Sequence, residues 1–201
     1  MKVLLYCICL VLLIASTHSV LGVDVSQLFS TSTYQCMKNN GYQFAIIRGY
    51  CSFGGMDTHA VQSLTNAKNA GLITDIYMFP CRGKSATSQV DEMVKNIPGN
   101  LYGMVWVDVE TNPSSGCSWS THDAKSNCDF ITEIVNRIKS HGKKVGVYAS
   151  SYMWQTILGS RTNCPSVASS AQLWYAHYDK SPSFSDYTSI GGWSKPNIKQ
   201  F

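Results

Sequence analysis

The sequence has little charge, little proline and no run of like charges. Charged residues make up 14% of the 201 residues, 6 residues are proline, and the formal net charge is +4. With 44% hydrophobic residues, this composition excludes a disordered or collagen-like chain and is ample for one buried core. The absence of a basic run argues against a nucleic-acid partner.

The sequence also lacks any apolar run, after its first residues, that would span a bilayer, so we expect no membrane anchor. A positive start at Lys2, a short apolar run and then small or polar residues predict a signal peptide over 1–22. Cleavage after Ser19 or after Gly22 fits this pattern. We therefore expect one domain over 23–201, either secreted or in the lumen of a lysosome-like or phagocytic vacuole.

No pair of cysteines has the C-x-x-C spacing of a zinc site, and the histidines show no ligand spacing, so we expect no metal and no cofactor. Six cysteines lie outside the predicted signal peptide: Cys36, Cys51, Cys81, Cys117, Cys128 and Cys164. An even number in an exported chain favours disulfides, and we expect no free thiol among the six. Cys117 with Cys128 is the favoured pair, because both flank one polar turn.

Strand-like and helix-like patterns alternate along the chain. Strands are predicted at 23–26, 44–49, 73–79, 103–110, 144–150 and 171–178, and helices at 32–40, 58–70, 86–97, 121–141 and 151–159. Near residue 160 the helical pattern stops, and only strands are predicted at 173–178 and 193–201. Repeated strand–helix units are typical of a parallel sheet. We therefore predict an α/β fold, an irregular (β/α)-barrel of the TIM-like type with five βα units followed by strands.

Only one of the three glutamates, Glu110, lies in an apolar segment, at the end of the run Met104-Val-Trp-Val-Asp-Val-Glu110. Side chains alternate along a strand, so Trp106, Asp108 and Glu110 share one face and three valines share the other. Active sites of α/β barrels lie at the carboxyl ends of the strands. Carboxylates are costly to bury there unless they have partners or take part in chemistry. An acidic strand end that caps the next helix is the alternative.

Asp24, in the first predicted strand, adds a third carboxylate that can reach the same barrel mouth, although a polar strand end explains it as well. A cluster of Asp24, Asp108 and Glu110 without histidine suits glycoside hydrolysis. In that reaction one carboxylic acid protonates the leaving oxygen, and another stabilises an oxocarbenium-like centre or orients a partner group. Sugar rings stack on aromatic side chains, and the predicted strands carry Trp106, Tyr148, Trp174 and Tyr175, which are also typical of a core.

Several motifs together resemble glycoside hydrolase family 25, the Chalaropsis-type lysozymes or N-acetylmuramidases. They are Asp24-Val-Ser-Gln, Asp108-Val-Glu110, Gly146-Val-Tyr148-Ala-Ser and Leu173-Trp-Tyr-Ala-His-Tyr-Asp179. The segment Gly191-Gly-Trp-Ser-Lys-Pro-Asn-Ile-Lys-Gln-Phe201 is similar to the Entamoeba-like branch of that family. The resemblance runs from about residue 23 to the last residue, with the motifs in order.

The resemblance implies an irregular (β/α)-barrel that cleaves the β-1,4 bond between N-acetylmuramic acid and N-acetylglucosamine in bacterial peptidoglycan, for antibacterial defence or digestion of bacteria. It casts Glu110 as the proton donor. Asp108 becomes the residue that orients the substrate's acetamido group or stabilises the transition state, and Asp24 binds and tunes the site. The expected substrate-binding residues are Tyr148, Trp174, Tyr175, Arg48 and Trp106. We expect a monomer.

The chain departs from the family at its end. Members of the family continue to a final strand that carries another acidic residue and closes the barrel, whereas this sequence stops at Phe201. We therefore expect a barrel without its last strand, with two unpaired edges, less stable and less active than a chain extended by that strand. A catalytically weak or inactive peptidoglycan-binding protein on the same scaffold is the alternative function. A purely structural disulfide protein would leave the acids unexplained.

Overall fold

The computed structural model describes residues 19–201, so most of the predicted signal peptide lies outside the described residues. The strands are β1 (Leu21–Val25), β2 (Tyr42–Cys51), β3 (Gly55–Met56), β4 (Ile73–Met78), β5 (Met104–Asp108), β6 (Lys144–Ser150), β7 (Gln172–Ala176) and β8 (Ile198–Gln200). The helices are α1 (Thr31–Asn39), α2 (Ala60–Asn69), α3 (Ala86–Asn96), α4 (Ala124–Ser140), α5 (Ser151–Leu158) and α6 (Pro165–Ala168), with a 3₁₀ turn at Trp119–Thr121. None of the helices in 19–201 is both long and apolar enough to cross a membrane.

Seven strands form one curled parallel sheet in the order β1-β2-β4-β5-β6-β7-β8, and β3 is a short antiparallel partner of β2. Helices α1 to α5 lie on the connections between the parallel strands up to β7, which confirms the predicted α/β fold with its five βα units. Within residues 19–201 no strand pairing joins β1 to β8. The sheet is therefore a half-barrel with two open edges.

The sheet separates two hydrophobic clusters, and β5 contributes to both. Val105, Val107 and Val109 belong to the large cluster that includes the buried side chains of the helices. Trp106 belongs to a smaller cluster inside the curve of the sheet, whose other buried members are Ile46, Tyr148, Trp174 and Ala176. The predicted alternation along β5 is thus confirmed, and Asp108 ends this strand on the inner face.

Helix α4 shows how local sequence positions the outer layer. The Asp123 side chain caps its first turn by accepting from the Ser126 backbone N–H, and Gly142, at a φ of +69°, follows its end. Its buried face carries Phe130, Ile131, Ile134, Val135 and Ile138 against the sheet. Arg137 donates two hydrogen bonds, of 2.6 and 2.8 Å, to the Asp91 carboxylate of α3, which ties the two helices together.

The end of the chain differs from the prediction in two ways. Helices do not cease near residue 160, because Pro165 begins the one-turn helix α6 after Cys164. The last strand covers Ile198–Gln200 alone, whereas 193–201 was predicted. Trp193 is instead an anchor for the loop before β8: its ring is buried against Trp154, and its Nε1 donates to the Ala171 carbonyl at 2.7 Å.

The predicted pairing of Cys117 with Cys128 is wrong. The disulfides join Cys81 to Cys117 and Cys128 to Cys164. Cys81 and Cys117 lie in the loops after two neighbouring parallel strands, β4 and β5, which brings them side by side. The 3₁₀ turn and the start of α4 separate Cys117 from Cys128.

The expectation of six paired cysteines is wrong as well. Among residues 19–201 two cysteines are free, Cys36 on the exposed side of α1 and Cys51, which is buried at the end of β2. Neither of the two disulfides involves α1 or β2, the elements that carry the free cysteines.

Candidate active site

Asp108 ends β5 inside the curve of the sheet and is 6% exposed. Its Oδ1 is buried and has no hydrogen-bond partner among the described residues. Burial raises the pKa of Asp108 well above its ordinary value, and the neighbouring Glu110 and Asp24 carboxylates raise it further. A carboxyl group in this position favours the protonated form.

Glu110 follows Asp108 by two residues and lies on the same side. Although β5 ends at Asp108, the Val109 N–H donates to the Tyr148 carbonyl at 2.9 Å, so the alternation continues to Glu110. Trp119 fixes the backbone there, because its Nε1 donates to the Glu110 carbonyl at 2.7 Å. The side chain of Glu110 is half-buried, and this burial raises its pKa. The neighbouring Asp108 carboxyl lowers that pKa, and the charge of Asp24 raises it.

The carboxyl groups of Asp108 and Glu110 are close enough that Glu110 raises the pKa of Asp108. Two carboxylates this close cannot both ionise readily, so the pair retains one proton to a higher pH than either residue would alone. The pair does not cap a helix: Ser118 caps the 3₁₀ turn, and Asp123 caps α4. The capping alternative raised by the sequence therefore does not describe these residues.

Asp24 lies on the edge strand β1, where solvent reaches its side chain. Its Oδ2 accepts a 2.8 Å hydrogen bond from Nε2 of Gln200 on β8. The surrounding protein raises the pKa of Asp24 by desolvation, while the hydrogen bond from Gln200 lowers it. The structure thus brings Asp24 near the Asp108–Glu110 pair, and within 19–201 no arginine, lysine or histidine forms an ion pair with any of the three.

Three of the aromatic residues singled out from the sequence form the inner wall. Trp174 contacts Trp106 and Tyr148 edge-on, with ring centroids 5.8 and 4.6 Å apart. Trp106 is fully buried, and its Nε1 donates to the Asp75 carboxylate at 3.0 Å, which places its ring at the floor of the site. The Tyr148 hydroxyl donates to Gln200 Oε1 at 2.6 Å and lies 3.0 Å from the Tyr178 hydroxyl.

Two other predicted site residues are not brought together with the acids. Tyr175 lies on the opposite face of β7, in the cluster with the helices, and packs against Tyr187. The alternation of a strand already excludes a shared face for neighbours such as Trp174 and Tyr175. Arg48 has its guanidinium engaged elsewhere: Nε donates to Asp57 at 2.7 Å, and Nη2 donates to the Ser26 carbonyl at 3.0 Å.

Sequence reasoning missed four residues of the inner face: Asp75, Tyr77, Tyr178 and Gln200. Asp75 and Tyr77 alternate on β4, so the period-2 pattern that found Asp108 would have found them too. Burial raises the pKa of Tyr77, and the charges of Asp108 and Asp24 act on the same hydroxyl. No local pattern identifies Gln200, because its contacts lie on strands far away in the chain.

One group in residues 19–201 has the donor atoms of a cation site, namely His177, Asp179 and Asp186 in the loop after β7. The Lys199 ammonium fills its centre, donating to Asp179 Oδ2 at 2.7 Å and to Asp186 Oδ1 at 2.8 Å. The group is therefore a closed ion-pair cluster on the outer side of β8.

Comparison with known proteins shows what this chain is similar to. A family model described as "Lysozyme-like protein 1" matches residues 15–201. The "Probable GH family 25 lysozyme 2" of Dictyostelium discoideum is 41% identical over 185 residues, which cover 90% of this chain and 82% of that protein.

Solved structures agree with the sequence relatives. A muramidase from Trichobolus zukalii superposes with a TM-score of 0.75 at 26% identity, covering 90% of this chain and 86% of that one. A bacterial lysozyme from Streptomyces coelicolor gives a TM-score of 0.77 at 27% identity, covering 92% and 84%. The curled parallel half-barrel, the acids at its carboxyl-end mouth and these relatives lead to one conclusion: the chain belongs to the lysozymes of glycoside hydrolase family 25.

Proposed function

We propose that this protein hydrolyses the β-1,4 bond between N-acetylmuramic acid and N-acetylglucosamine in bacterial peptidoglycan. The observation that carries the proposal is the Asp108–Glu110 pair, two neighbouring carboxyl groups at the inner end of β5 that form no ion pair with an arginine, lysine or histidine of residues 19–201. Such a pair keeps a carboxylic acid protonated at a pH where an ordinary one is ionised, which general acid catalysis requires.

Glu110 is the member of the pair that delivers the proton. It is half-buried and therefore open to a ligand, whereas Asp108 is only 6% exposed. Proton transfer from the Glu110 carboxyl to the glycosidic oxygen breaks the C–O bond as the sugar gains oxocarbenium character. The Glu110 carboxylate left behind then accepts a proton from the attacking water.

Asp108 orients the substrate, and Asp24 stabilises the charge that develops. The Oδ1 of Asp108 is buried and has no hydrogen-bond partner among the described residues, so it is free to accept the substrate's acetamido N–H and hold that group in place. Asp24 contributes a negative charge at the open edge, opposite the positive charge of the oxocarbenium-like centre. Trp174 and Tyr148 provide the aromatic wall against which a sugar ring packs.

The open edge favours a second candidate function, recognition of peptidoglycan with weak or no cleavage. A cavity of about 900 Å³ opens between β1 and β8, lined by Asp24, Phe44, Ile46 and Trp174 among others. Ligand pockets of this size typically bind small molecules, and this one is large enough for a sugar unit. A glycan bound in this cavity would lie beside Asp24 without being cut.

Export of the chain is part of the proposal. The two disulfides are typical of an oxidising compartment, either outside the cell or in the lumen of a digestive vacuole. Cleavage of the signal peptide after Ser19 would leave β1 whole, whereas cleavage after Gly22 would remove its first two residues. We expect the mature protein to act as a monomer on the wall polymer.

Digestion of purified peptidoglycan tests the function. The wild-type protein should lower the turbidity of a wall suspension and release fragments whose reducing end is N-acetylmuramic acid, identified by mass spectrometry after borohydride reduction. Sedimentation with the same walls measures binding separately. Binding without new reducing ends would favour the second candidate, and neither binding nor cleavage would contradict both.

A further inference from the structure

The side chain of Gln200 lies between the acids and the tyrosines of the site. Its Nε2 donates to Asp24 Oδ2 at 2.8 Å, and its Oε1 accepts from the hydroxyls of Tyr148 at 2.6 Å and Tyr178 at 2.8 Å. An ionised carboxylate only accepts hydrogen bonds, so the amide nitrogen must face Asp24 and the amide oxygen must face the tyrosines. All three contacts therefore specify one orientation of the amide.

The Gln200 contact crosses the open edge of the sheet. Asp24 and Gln200 are 176 positions apart and lie on β1 and β8, the two strands that have no partner between them. Among the described residues 19–201, this is the hydrogen bond that joins the two edge strands. Without it, the Asp24 side chain would be free to rotate into solvent, because solvent already reaches it.

We propose that Gln200 is a positioning residue, whose amide fixes the Asp24 carboxylate across the open edge and beside the Asp108–Glu110 pair. The inference rests on the proposed function, since it concerns the acid that the proposed reaction uses. Gln200 acts through Asp24 and need not touch the reacting atoms.

The electrostatic consequence passes from Gln200 to Glu110 in two steps. The hydrogen bond from Gln200 lowers the pKa of Asp24, against the larger effect of desolvation, and so favours its charged form. The charge of Asp24 in turn raises the pKa of both Asp108 and Glu110. Gln200 therefore helps the pair to keep its proton.

The other groups that face the acids do not replace this effect. Tyr77 on β4 and Tyr148 on β6 stay neutral, because burial raises the pKa of each phenol. The Tyr178 hydroxyl, in the loop after β7, bonds to Gln200 itself. The guanidinium of Arg48 on β2 is turned to Asp57 and Ser26. Asp24 is thus the charged group outside β5 that raises the pKa of Asp108 and Glu110.

The variant Gln200→Met, which keeps the length of the side chain, tests the inference through the pH profile of kcat/KM on soluble peptidoglycan fragments. The basic limb of that profile reports loss of the essential acid's proton. It should move to lower pH by about half a unit or more, within the range of shifts that neighbouring charges cause. Asp24→Asn should move it the same way, and the double variant should move it no further.

The matched control is Asn197→Ala, at the residue before β8. Asn197 Oδ1 accepts from the Leu173 N–H at 3.1 Å, so this change loosens the same strand without touching the acids. It should lower the thermal midpoint and leave the basic limb in place. An unshifted limb in Gln200→Met, an equal shift in Asn197→Ala, or additive shifts in the double variant would overturn the inference.

A second measurement needs neither activity nor a folded Gln200 variant. In the wild-type protein the side-chain amide resonance of Gln200 should titrate with the pKa of Asp24, and this titration should vanish in Asp24→Asn. An amide that does not respond to pH would overturn the inference even in an active enzyme. An enzyme without lytic activity but with this titration would contradict the proposed function and leave the role of Gln200 intact.

Discussion

Two groups of carboxylates in the structure have opposite chemistry. Asp108 and Glu110, with Asp24 beside them, have no cation partner, and burial raises the pKa of each. Asp179 and Asp186, in the loop after β7, surround the Lys199 ammonium, and their pKa values are lowered, that of Asp186 to about 2. The first group favours a protonated carboxyl, while the second favours ionised carboxylates at neutral pH.

The difference comes from one residue step along β8. Lys199 points to the outer side, where its side chain is 3% exposed between Asp179 and Asp186. Gln200 points to the inner side, where it supplies a neutral amide to Asp24. Because side chains alternate along a strand, β8 directs the Lys199 ammonium to Asp179 and Asp186 on one face and the neutral Gln200 amide to the other face. The position of the cation, more than the number of acids, decides which group is fit for catalysis.

The largest expected effect is on catalysis by the first group. Glu110→Gln removes the transferable proton and should lower wall lysis by about 10²–10⁴-fold, the usual contribution of a general acid. Glu133→Gln is the matched control, because Glu133 is an exposed glutamate on the outer face of α4. Turbidity and reducing-end assays at equal protein concentration measure both. A Glu110→Gln protein that is folded by circular dichroism and retains more than about a tenth of the activity would contradict this role.

Replacing an aspartate by asparagine should raise stability in the first group and lower it in the second. Asp108→Asn removes a buried acid with a raised pKa, so it should stabilise the fold while lowering lysis. For such an acid the free energy of unfolding falls as the pH rises from its unfolded pKa towards its folded pKa. The gain should therefore be small near pH 4 and larger near pH 7. Differential scanning calorimetry should show about 2–4 °C for each kcal/mol gained.

A thermal midpoint of Asp108→Asn below that of wild type at both pH values would contradict the account of Asp108 as a strained acid. It would show that the carboxyl makes a stabilising contact that the neutral amide cannot replace. Lysis by the same variant serves as the internal control, since a loss of activity with gained stability is the expected trade-off at a catalytic site.

Local patterns predicted one of the two groups and not the other. The alternation of Trp106, Asp108 and Glu110 on an apolar strand identified the inner face, because a strand's period needs no tertiary information. The Lys199 cluster and the Gln200 contact depend on how the curled sheet brings β1, β7 and β8 together, which no local window contains. The cysteine pairing was wrong for the same reason, since β4 and β5 bring Cys81 to Cys117 across 36 positions.

A smaller effect is expected from Asp186→Asn in the second group. This change breaks the contact to Lys199 and the hydrogen bond to His177, and it should lower the thermal midpoint at neutral pH. Because the folded pKa of Asp186 is lowered to about 2, its stabilising contribution is present above the unfolded value and is lost as the pH falls towards 2. Asp129→Asn, at an exposed pair with Lys125 on α4, should leave the midpoint almost unchanged. An equal midpoint for wild type and Asp186→Asn near pH 7 would contradict a structural role for this cluster.

The smallest expected effect is that of removing metal ions. His177, Asp179 and Asp186 have the atoms to bind a cation, but the Lys199 ammonium already lies between the two carboxylates and its side chain is almost fully buried. A divalent ion would have to displace this ammonium and break both of its ion pairs, which is unfavourable. We therefore expect EDTA to leave both the thermal midpoint and the rate of wall lysis unchanged, measured by calorimetry and turbidity on the same sample. Lys199→Met vacates the position between the carboxylates, so added Ca²⁺ should raise the midpoint of this variant and not that of wild type. A fall in the wild-type midpoint on chelation, reversed by Ca²⁺, would show that the outer group binds a metal and that its low pKa values do not depend on Lys199 alone.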